Sequence, residues 1–306
     1  MQKLQEIKKR IDSVQNIKTI SQTLATVSAA KLSKTRERAA GMREYAQKMH
    51  QILCEQQYYL QTKGVNLEDF SPLLRERKAE NTLLYMIASD KGMCGNYNLS
   101  VFWKSMKFWE AKQKAGQNVI FMAKGKKSAR YIEKRGLKIA HLESWRREGV
   151  LPEEVERILS YLALLFLSKQ VDEVYAVYTQ FHSPIKRVTL LKKLLPIKLK
   201  PVKKARPLGQ SDKWFYEPAF APLFNELLFI YLRVRLYDFL LESFASEQGA
   251  RMINMQEAVE RAEKKLKECY TDYNRLRREI ITLDLLGVLF SPKAMEEEVT
   301  APTFVT

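Results

Sequence analysis

The apolar positions between residues 252 and 283 repeat in alternating steps of three and four. They are Met252, Met255, Val259, Ala262, Leu266, Cys269, Tyr273, Leu276, Ile280 and Leu283. This is the heptad spacing of a coiled coil, which is narrower than the apolar stripe of an ordinary surface helix. Between Pro222 and Pro292 the chain has no proline and only two glycines. The pattern predicts one long helix over residues 223–290, with a seam that needs a partner helix.

A second long helix is predicted over residues 1–60. Its apolar positions advance in steps of 3, 4, 3, 3, 3, 4 and 3, at Leu4, Ile7, Ile11, Val14, Ile17, Ile20, Leu24 and Val27. Because the mean step is shorter than the 3.5 residues of a regular heptad, the pattern predicts a locally overwound seam. Both long helices flank one middle segment, so we expect them to fold back on each other as an antiparallel coiled coil.

The middle of the chain, residues 81–200, alternates short apolar runs with helical segments. Such alternation is typical of a mostly parallel sheet covered by helices, here a Rossmann-like α/β domain. The predicted strands are Thr82–Ala88, Val119–Ala123, Leu137–His141, Val171–Phe181 and Arg187–Leu199. A polar connector (61–80) and a proline-bearing linker (201–222) join this domain to the long helices, and residues 291–306 form a tail.

Charge and cysteine content limit the partners and the compartment. The chain has 52 Lys and Arg against 35 Asp and Glu, a net charge of +17, which indicates an acidic partner. Three isolated cysteines predict neither disulfides nor zinc, so a reducing cytosolic compartment fits. The longest uncharged apolar run, Ile158 to Ser168, is too short to span a bilayer, and we expect a soluble or peripheral protein without a signal peptide.

Three segments could carry chemistry, and two of them have a simpler structural explanation. Cys94 would pack as a small apolar residue, and the apolar residues between the lysines of 186–206 would face a core while the lysines are solvated. The loop Ser89–Asn96 follows a buried strand, but its glycines do not form a dinucleotide fingerprint, and Cys94 has no nearby histidine. Gly125–Ser128 lacks the first glycine of a phosphate loop. Residues 186–206 hold nine basic side chains but no stacking aromatics. We therefore expect no catalytic residue, cofactor or metal, while a nucleotide enzyme and a basic coiled-coil nucleic-acid binder remain alternatives.

Four segments near the two ends of the chain form signatures. They are VQNIKTI (14–20) and VSAAKL (27–32) at one end, and LESFASEQGARM (241–252) and YNRLRREIITLDL (273–285) at the other. Together they resemble the gamma subunit of F-type ATP synthases. The loop SDKGMCG and the segment LLPI (194–197) resemble the same family, so the likeness covers almost the whole chain. The chain departs from the family in its acidic tail and in its lack of the two-cysteine insertion of chloroplast members.

The resemblance implies a divergent, non-catalytic rotor subunit. The coiled coil would stand inside a hexameric ring of alpha and beta ATPase subunits, one copy per complex. The α/β domain would bind the epsilon subunit and the membrane c-ring, with no nucleic acid. The assembly would be peripheral to the cytoplasmic face of a bacterial inner membrane. A gamma-like shaft of a specialised ATP-hydrolysing motor is the alternative within the same family.

The resemblance also assigns the residues that would couple the shaft to the beta subunits. They are Leu24, Arg251, Arg277, Arg278, Thr282 and Asp284. Leu24 stands where the family usually has methionine, Arg278 where it has glutamine, and Asp284 where it has glutamate. The resemblance implies that Met252–Leu276 pairs into the shaft, whereas residues 277–290 project alone as the tip.

Overall fold

A computed structural model describes residues 2–62, 71–146, 149–199 and 220–289 of the chain. Along the chain, one long helix precedes a run of strands and shorter helices, and another long helix follows it. The elements are α1 (Gln2–Thr62), β1 (Asn81–Ile87), α2 (Tyr97–Lys114), β2 (Asn118–Lys124), α3 (Lys126–Glu133), β3 (Ile139–Glu143), α4 (Pro152–Leu167), β4 (Glu173–Phe181), β5 (Arg187–Leu195) and α5 (Phe220–Leu289).

The strands form one mostly parallel sheet, which confirms the predicted fold class. Their order is β3-β2-β1-β4-β5, and only the edge pair β4–β5 is antiparallel. Several strand boundaries differ from the predictions by a few residues. β3 runs from Ile139 to Glu143, β4 begins at Glu173, and β5 ends at Leu195 because Pro196 has no N–H for the ladder. Of the predicted connector, linker and tail, residues 63–70, 201–219 and 291–306 lie outside the described residues. The six-segment domain division stays a prediction.

The chain divides into two compact units. One, called here the sheet unit, comprises residues 26–254, and the other, the two-helix unit, comprises residues 1–25 and 255–306. In the sheet unit, alternate residues of β1 point to opposite faces. Leu83, Tyr85 and Ile87 join a core with α4 and with the parts of α1 and α5 in this unit, whereas Leu84 and Met86 pack under α2 and α3.

The sheet unit buries one ion pair that the sequence analysis did not single out. Lys124, at the end of β2, contacts the Glu154 carboxylate of α4, and both side chains are almost completely buried. The ammonium group also donates a 3.0 Å hydrogen bond to the Ser144 carbonyl and lies 4.8 Å from the centre of the Trp145 ring. Burial lowers the pKa of Lys124, and the nearby Glu154 carboxylate opposes that effect.

In the two-helix unit the parts of α1 and α5 run antiparallel. Ile11 packs with Leu266 and Cys269, and Ile7, Val14 and Tyr273 lie around this cluster. Further along α1, Lys18 pairs with Glu263 of α5 across 3.0 Å. The partner residue number therefore falls along α5 as it rises along α1, as expected for an antiparallel coiled coil.

The seam of α1 departs from the predicted one after Val14. Ile17 and Ile20 are 55% and 58% exposed, and Val27 is 47% exposed. The less exposed positions of this segment are instead Lys18, Ser21 and Ala25, which continue from Val14 in steps of four, three and four. The prediction of an overwound seam was therefore wrong. The real seam keeps a regular heptad and uses small or ion-paired side chains.

The seam of α5 is buried at Met255, Ala262, Leu266 and Cys269 and becomes more exposed beyond them. Lys18 pairs with Glu263, and α1 begins 16 residues before Lys18, at Gln2 (18 − 2 = 16). In an antiparallel pair, the position of α5 opposite Gln2 is therefore 16 residues after Glu263, at Glu279 (263 + 16 = 279). Within the described residues, α1 therefore offers no partner to α5 past Glu279. Leu283, the last residue of the apolar ladder, is accordingly 66% exposed.

Candidate functional site: surfaces for partner proteins

Four of the six residues expected to contact partners lie on the exposed final turns of α5. Arg277 and Asp284 are seven residues apart, so they share one side of the helix, and Arg278 and Thr282 share a neighbouring side. All four are exposed. The Thr282 hydroxyl donates to the Arg278 carbonyl at 2.9 Å, and the Arg278 guanidinium donates to the Asn274 carbonyl at 3.3 Å. The arrangement leaves both arginine charges available at the surface.

Large apolar side chains surround these polar residues. Ile281, Leu283, Leu285 and Leu286 are all exposed on the last turns of α5. Close to Arg277 and Arg278, Arg275 forms an ion pair with Glu279, one turn further along the helix. An exposed helix that combines contiguous apolar side chains with arginines is typical of a protein-binding surface.

Leu24 lies on α1 beside the exposed Ile20, and it is itself half-buried. Ile17 and Ile20 belong to the same apolar stripe, which the seam of the two-helix unit leaves uncovered. A second surface of the two-helix unit is therefore apolar and open. Ile17 and Ile20, which the sequence analysis assigned to the seam, are therefore candidate contacts for a partner protein.

Arg251, the sixth residue, lies in a different environment. It is 8% exposed and forms a 2.8 Å ion pair with the buried Glu247 one turn earlier on α5. Its guanidinium also donates to the carbonyls of Lys91 and Gly92 at 3.3–3.4 Å. Burial raises the pKa of Glu247, and the Arg251 charge opposes that rise. Arg251 therefore has little surface to offer a partner, and the structure favours an indirect role in holding the loop.

The loop that precedes α2, residues 89–95, is held by further polar contacts. The Asp90 carboxylate accepts hydrogen bonds from the backbone N–H groups of Lys126 and Trp145, at 2.8 and 3.0 Å. Asn254 of α5 donates to the Met93 carbonyl at 3.3 Å. Met93 has a φ of +63° and its side chain is exposed. A bulky residue in this left-handed conformation is held there only by such surroundings.

Cys94 has the structural role that the simpler explanation predicted. It is buried against Tyr97 and Ala250, and burial raises the pKa of its thiol. A buried thiol with a raised pKa is a poor nucleophile because little thiolate is present at neutral pH. The Asn98 side-chain amide donates to its sulfur at 3.1 Å.

The Gly125–Ser128 segment does not present the free donors that a phosphate loop needs. The N–H of Lys126 donates to Asp90, and the N–H of Lys127 donates to the Ser89 carbonyl at 3.0 Å. The Ser128 hydroxyl donates to backbone carbonyls 2.7 Å away. Gly125 has a φ of +91°, and a Cβ there would lie 2.3 Å from the Ala88 carbonyl oxygen. The glycine therefore serves close packing between two loops.

The basic segment after residue 186 is partly neutralised within the described residues. Lys193 pairs with Glu173 at 2.6 Å, and Lys198 pairs with Glu76 at 2.5 Å. Leu194, Leu195 and Ile197 are buried in the core of the sheet unit. These residues agree with the prediction of apolar side chains facing a core beside solvated lysines, whereas Val188 of the same set is exposed. Residues 200–206 lie outside the described residues.

Polar residues of the 241–252 segment have a structural role that sequence reasoning missed. β4 pairs with β1 only through Val177, so the β1-facing edge of Thr179–Phe181 lacks a neighbouring strand. Side chains of α5 replace it. The Ser243 hydroxyl accepts from the Thr179 N–H at 3.1 Å, the Ser246 hydroxyl donates to the Thr179 carbonyl at 3.0 Å, and the Glu242 carboxylate accepts from the Phe181 N–H at 2.6 Å. The sequence signal that could have indicated this role is the recurrence of polar residues in an otherwise apolar segment of the helix.

The described residues lack two further features. No cluster of three His, Cys, Asp or Glu side chains in the described ranges could hold a metal ion. No helix among the described residues has the length and hydropathy needed to cross a bilayer.

Comparisons with known proteins cover nearly the whole chain. The ATP synthase family model matches residues 3–295. The chain is 30% identical over 303 residues to the ATP synthase gamma chain of Trichlorobacter lovleyi, covering 97% of this chain and 100% of that one. It is 31% identical over 301 residues to the ATP synthase gamma chain of Halothermothrix orenii, with the same coverage.

Two solved structures share the fold. A chain of the central stalk and c-ring structure of Tetrahymena thermophila mitochondrial ATP synthase has a TM-score of 0.58 at 22% identity, covering 78% of this chain and 99% of that one. A chain of the Euglena gracilis mitochondrial ATP synthase has a TM-score of 0.54 at 14% identity, covering 91% and 99%. The family match and the end-to-end similarity to curated relatives establish that this chain belongs to the ATP synthase gamma chain family.

Proposed function

We propose that this chain is the central rotor shaft of a rotary F-type ATP synthase or ATPase. It would couple conformational changes in a catalytic ring to rotation of an ion-translocating ring in the membrane. The observation that carries the proposal is the end of α5. Beyond Glu279 it is a helix with no described intramolecular partner, and it exposes both apolar side chains and arginines. Its surface is therefore available to a surrounding protein.

The apolar part of this surface suits a rotating contact. Leu283, Leu285 and Leu286 would meet an apolar sleeve without directional bonds, so rotation would not require such bonds to break. Arg277 and Arg278 would meet acidic loops of beta subunits, where complementary charge supplies orientation more than affinity. Leu24, Thr282 and Asp284 complete the proposed contact set, and Arg251 would act indirectly by fixing the 89–95 loop against α5.

The partners follow from the family. We infer a hexameric ring of alpha and beta subunits around the shaft, with the epsilon subunit and the membrane c-ring bound to the α/β domain. One copy per complex, peripheral to the cytoplasmic face of a bacterial inner membrane, belongs to the same proposal. The similar Tetrahymena thermophila chain belongs to a central stalk and c-ring structure, and the similar Euglena gracilis chain belongs to one with F1 and c-ring. Both support a catalytic ring and a c-ring as partners.

Co-purification tests the proposal most directly. An affinity-tagged full chain, expressed in its own cells, should bring down alpha- and beta-type ATPase subunits in a complex that hydrolyses ATP. Recovery of the chain as a stable monomer with its own ATPase activity would contradict the proposal. Mass spectrometry of the same sample would test the epsilon and c-ring assignments, and membrane fractionation would test the location.

Two matched double variants test the coupling surface within that complex. Arg277→Ala with Arg278→Ala should reduce ion pumping per ATP hydrolysed, since it removes both tip charges. Lys264→Ala with Lys267→Ala removes the same charge from exposed α5 positions within the paired region and should leave coupling unchanged. Equal coupling in the two variants would remove the arginines from the proposed contact set.

A further inference from the structure

The sheet unit contains a cationic pocket that has no part in the proposed coupling surface. It is a cavity of about 380 Å³ among α1, α5 and the end of β5, with an apolar wall that includes Leu194 and Leu232. Its polar lining consists of His50, Tyr231, Arg235, Lys192, Lys193 and Lys198. No carboxylate of the described residues lines it. This pocket is called here the His50 pocket.

The inner end of the His50 pocket is organised by hydrogen bonds and ring contacts. The Tyr231 side chain is buried, and its hydroxyl accepts a 2.6 Å hydrogen bond from the Arg235 guanidinium. The same hydroxyl lies 3.1 Å from the His50 Nδ1 atom, to which it can donate. Arg235 also lies over the Phe239 ring at 5.2 Å. The guanidinium is therefore fixed in place before any ligand arrives.

The charges of the pocket are only partly compensated. Lys193 and Lys198 pair with Glu173 and Glu76, as described above. Lys192 and Arg235 have no carboxylate of the described residues within ion-pair distance. Burial and the Arg235 charge lower the pKa of His50, which favours the neutral imidazole, whose Nδ1 atom can accept a hydrogen bond from the Tyr231 hydroxyl. Arg235 and Lys192 therefore line a concave site as cations without a described carboxylate partner, and both can donate hydrogen bonds.

We propose that the His50 pocket binds a phosphate group. Arg235 and Lys192 would supply the charge, and the lysine and guanidinium N–H groups would supply hydrogen bonds to the phosphate oxygens. The volume falls within the range of small-ligand sites and accommodates more than one phosphate. The phosphate belongs either to a free anion such as pyrophosphate or to the headgroup of an anionic phospholipid. The proposal is one of binding only, because both ring nitrogens of His50 already have partners, the Tyr231 hydroxyl and the Cys54 thiol.

Calorimetry with pyrophosphate and co-sedimentation with vesicles test the proposal on the full chain. The vesicles contain phosphatidylcholine alone or phosphatidylcholine with phosphatidylglycerol. The test variant is Lys192→Gln with Arg235→Gln, and the control is Arg130→Gln with Lys138→Gln, two exposed residues elsewhere in the sheet unit. Because both variants lose the same net charge, non-specific attraction falls equally in both. We expect the test variant to bind at least about tenfold more weakly than the control.

The two ligands identify the source of the phosphate. Binding of pyrophosphate but not of vesicles assigns a free anion, and binding of phosphatidylglycerol vesicles alone assigns a lipid headgroup. Failure of the wild-type chain to bind either ligand overturns the proposal, as does equal binding by the test and control variants. If the double variant does not fold, Lys192→Gln alone provides the test, since Lys192 is exposed. None of these outcomes bears on the rotor function, which co-purification tests separately.

Discussion

Arg251 and Glu247 show that residues of a motif shared with a family can serve the fold instead of a partner contact. Both side chains are buried, and their ion pair also fixes the carbonyls of Lys91 and Gly92. The sequence resemblance placed Arg251 among partner contacts because a motif carries no information on burial. Its neighbours Ser243 and Ser246, which the motif also contains, satisfy backbone groups of β4. At the residue scale, this motif attaches α5 to the sheet.

The raised pKa of Glu247 makes the stability of the chain depend on pH. Since burial disfavours the ionised carboxylate, the folded state holds this proton more tightly than the unfolded state does. Its contribution is fully present at acidic pH and is lost as the pH rises from about 4.5, the value of an exposed glutamate, through the raised pKa. Glu247→Gln should therefore gain stability relative to wild type as the pH rises.

Urea unfolding at a series of pH values would measure this effect. Glu260→Gln, at an exposed position of α5, removes the same charge and should keep the wild-type profile. Parallel pH profiles for Glu247→Gln and wild type would contradict the predicted contribution of the carboxylate.

Ser243 offers a second test at the residue scale. Ser243→Ala leaves the N–H of Thr179 buried without its acceptor, which should cost about 1–3 kcal/mol of the free energy of unfolding. Ser13→Ala removes a hydroxyl that bonds the Lys9 carbonyl on an exposed surface, and it should change stability by less than about 0.5 kcal/mol. Denaturant unfolding gives both values, and hydrogen exchange should show faster exchange of the Thr179 amide in Ser243→Ala. Unchanged exchange at Thr179 would mean that Ser243 is not its acceptor.

The elements were largely predictable, whereas the seam of α1 was not. Strands such as β1 and β2 are buried on both faces, so continuous apolar runs identify them without a partner. The seam of a coiled coil depends on what the opposite helix supplies. Near Lys18, α5 supplies Glu263, and further on the seam positions are Ser21 and Ala25, which permit close approach. An apolar count therefore selected Ile17 and Ile20, which the fold leaves on the surface.

Substitution by alanine tests whether Ile20 belongs to the seam of α1, because truncating a buried isoleucine costs more free energy of unfolding than truncating an exposed one. Ile11→Ala removes a side chain that packs with Leu266 and Cys269, and it should cost about 2–5 kcal/mol. Ile20→Ala shortens an exposed side chain and should cost less than about 0.5 kcal/mol. Thermal or urea unfolding of the full chain measures both. Equal destabilisation by the two variants would place Ile20 back in the seam.

At the scale of the whole molecule, ion pairs leave the net charge of +17 unchanged, because each pair contains one positive and one negative group. The tip arginines of α5 and the His50 pocket place part of it at surfaces where partners or anions can bind. The sequence predicted an acidic partner from this charge, but it did not show where the charge was concentrated. Burial and carboxylate pairing decide that distribution, and both depend on contacts between residues distant in sequence.

A continuous α5 is the mechanical requirement of the proposed rotor, and Leu266 lies in the paired part of it. Leu266→Pro removes a backbone hydrogen bond and introduces a clash within the helix, at a cost of about 3 kcal/mol or more. It should uncouple ATP hydrolysis from ion pumping, because torque applied to the tip of α5 would no longer pass along a stiff helix. Leu266→Ala leaves the backbone intact and only opens a cavity beside Ile11 and Cys269, so a complex that assembles should remain coupled. Pumping per ATP hydrolysed, measured in reconstituted complexes, distinguishes the two variants. If Leu266→Pro pumped as efficiently as Leu266→Ala, torque would not pass through this segment, and the shaft function of α5 would have to be abandoned.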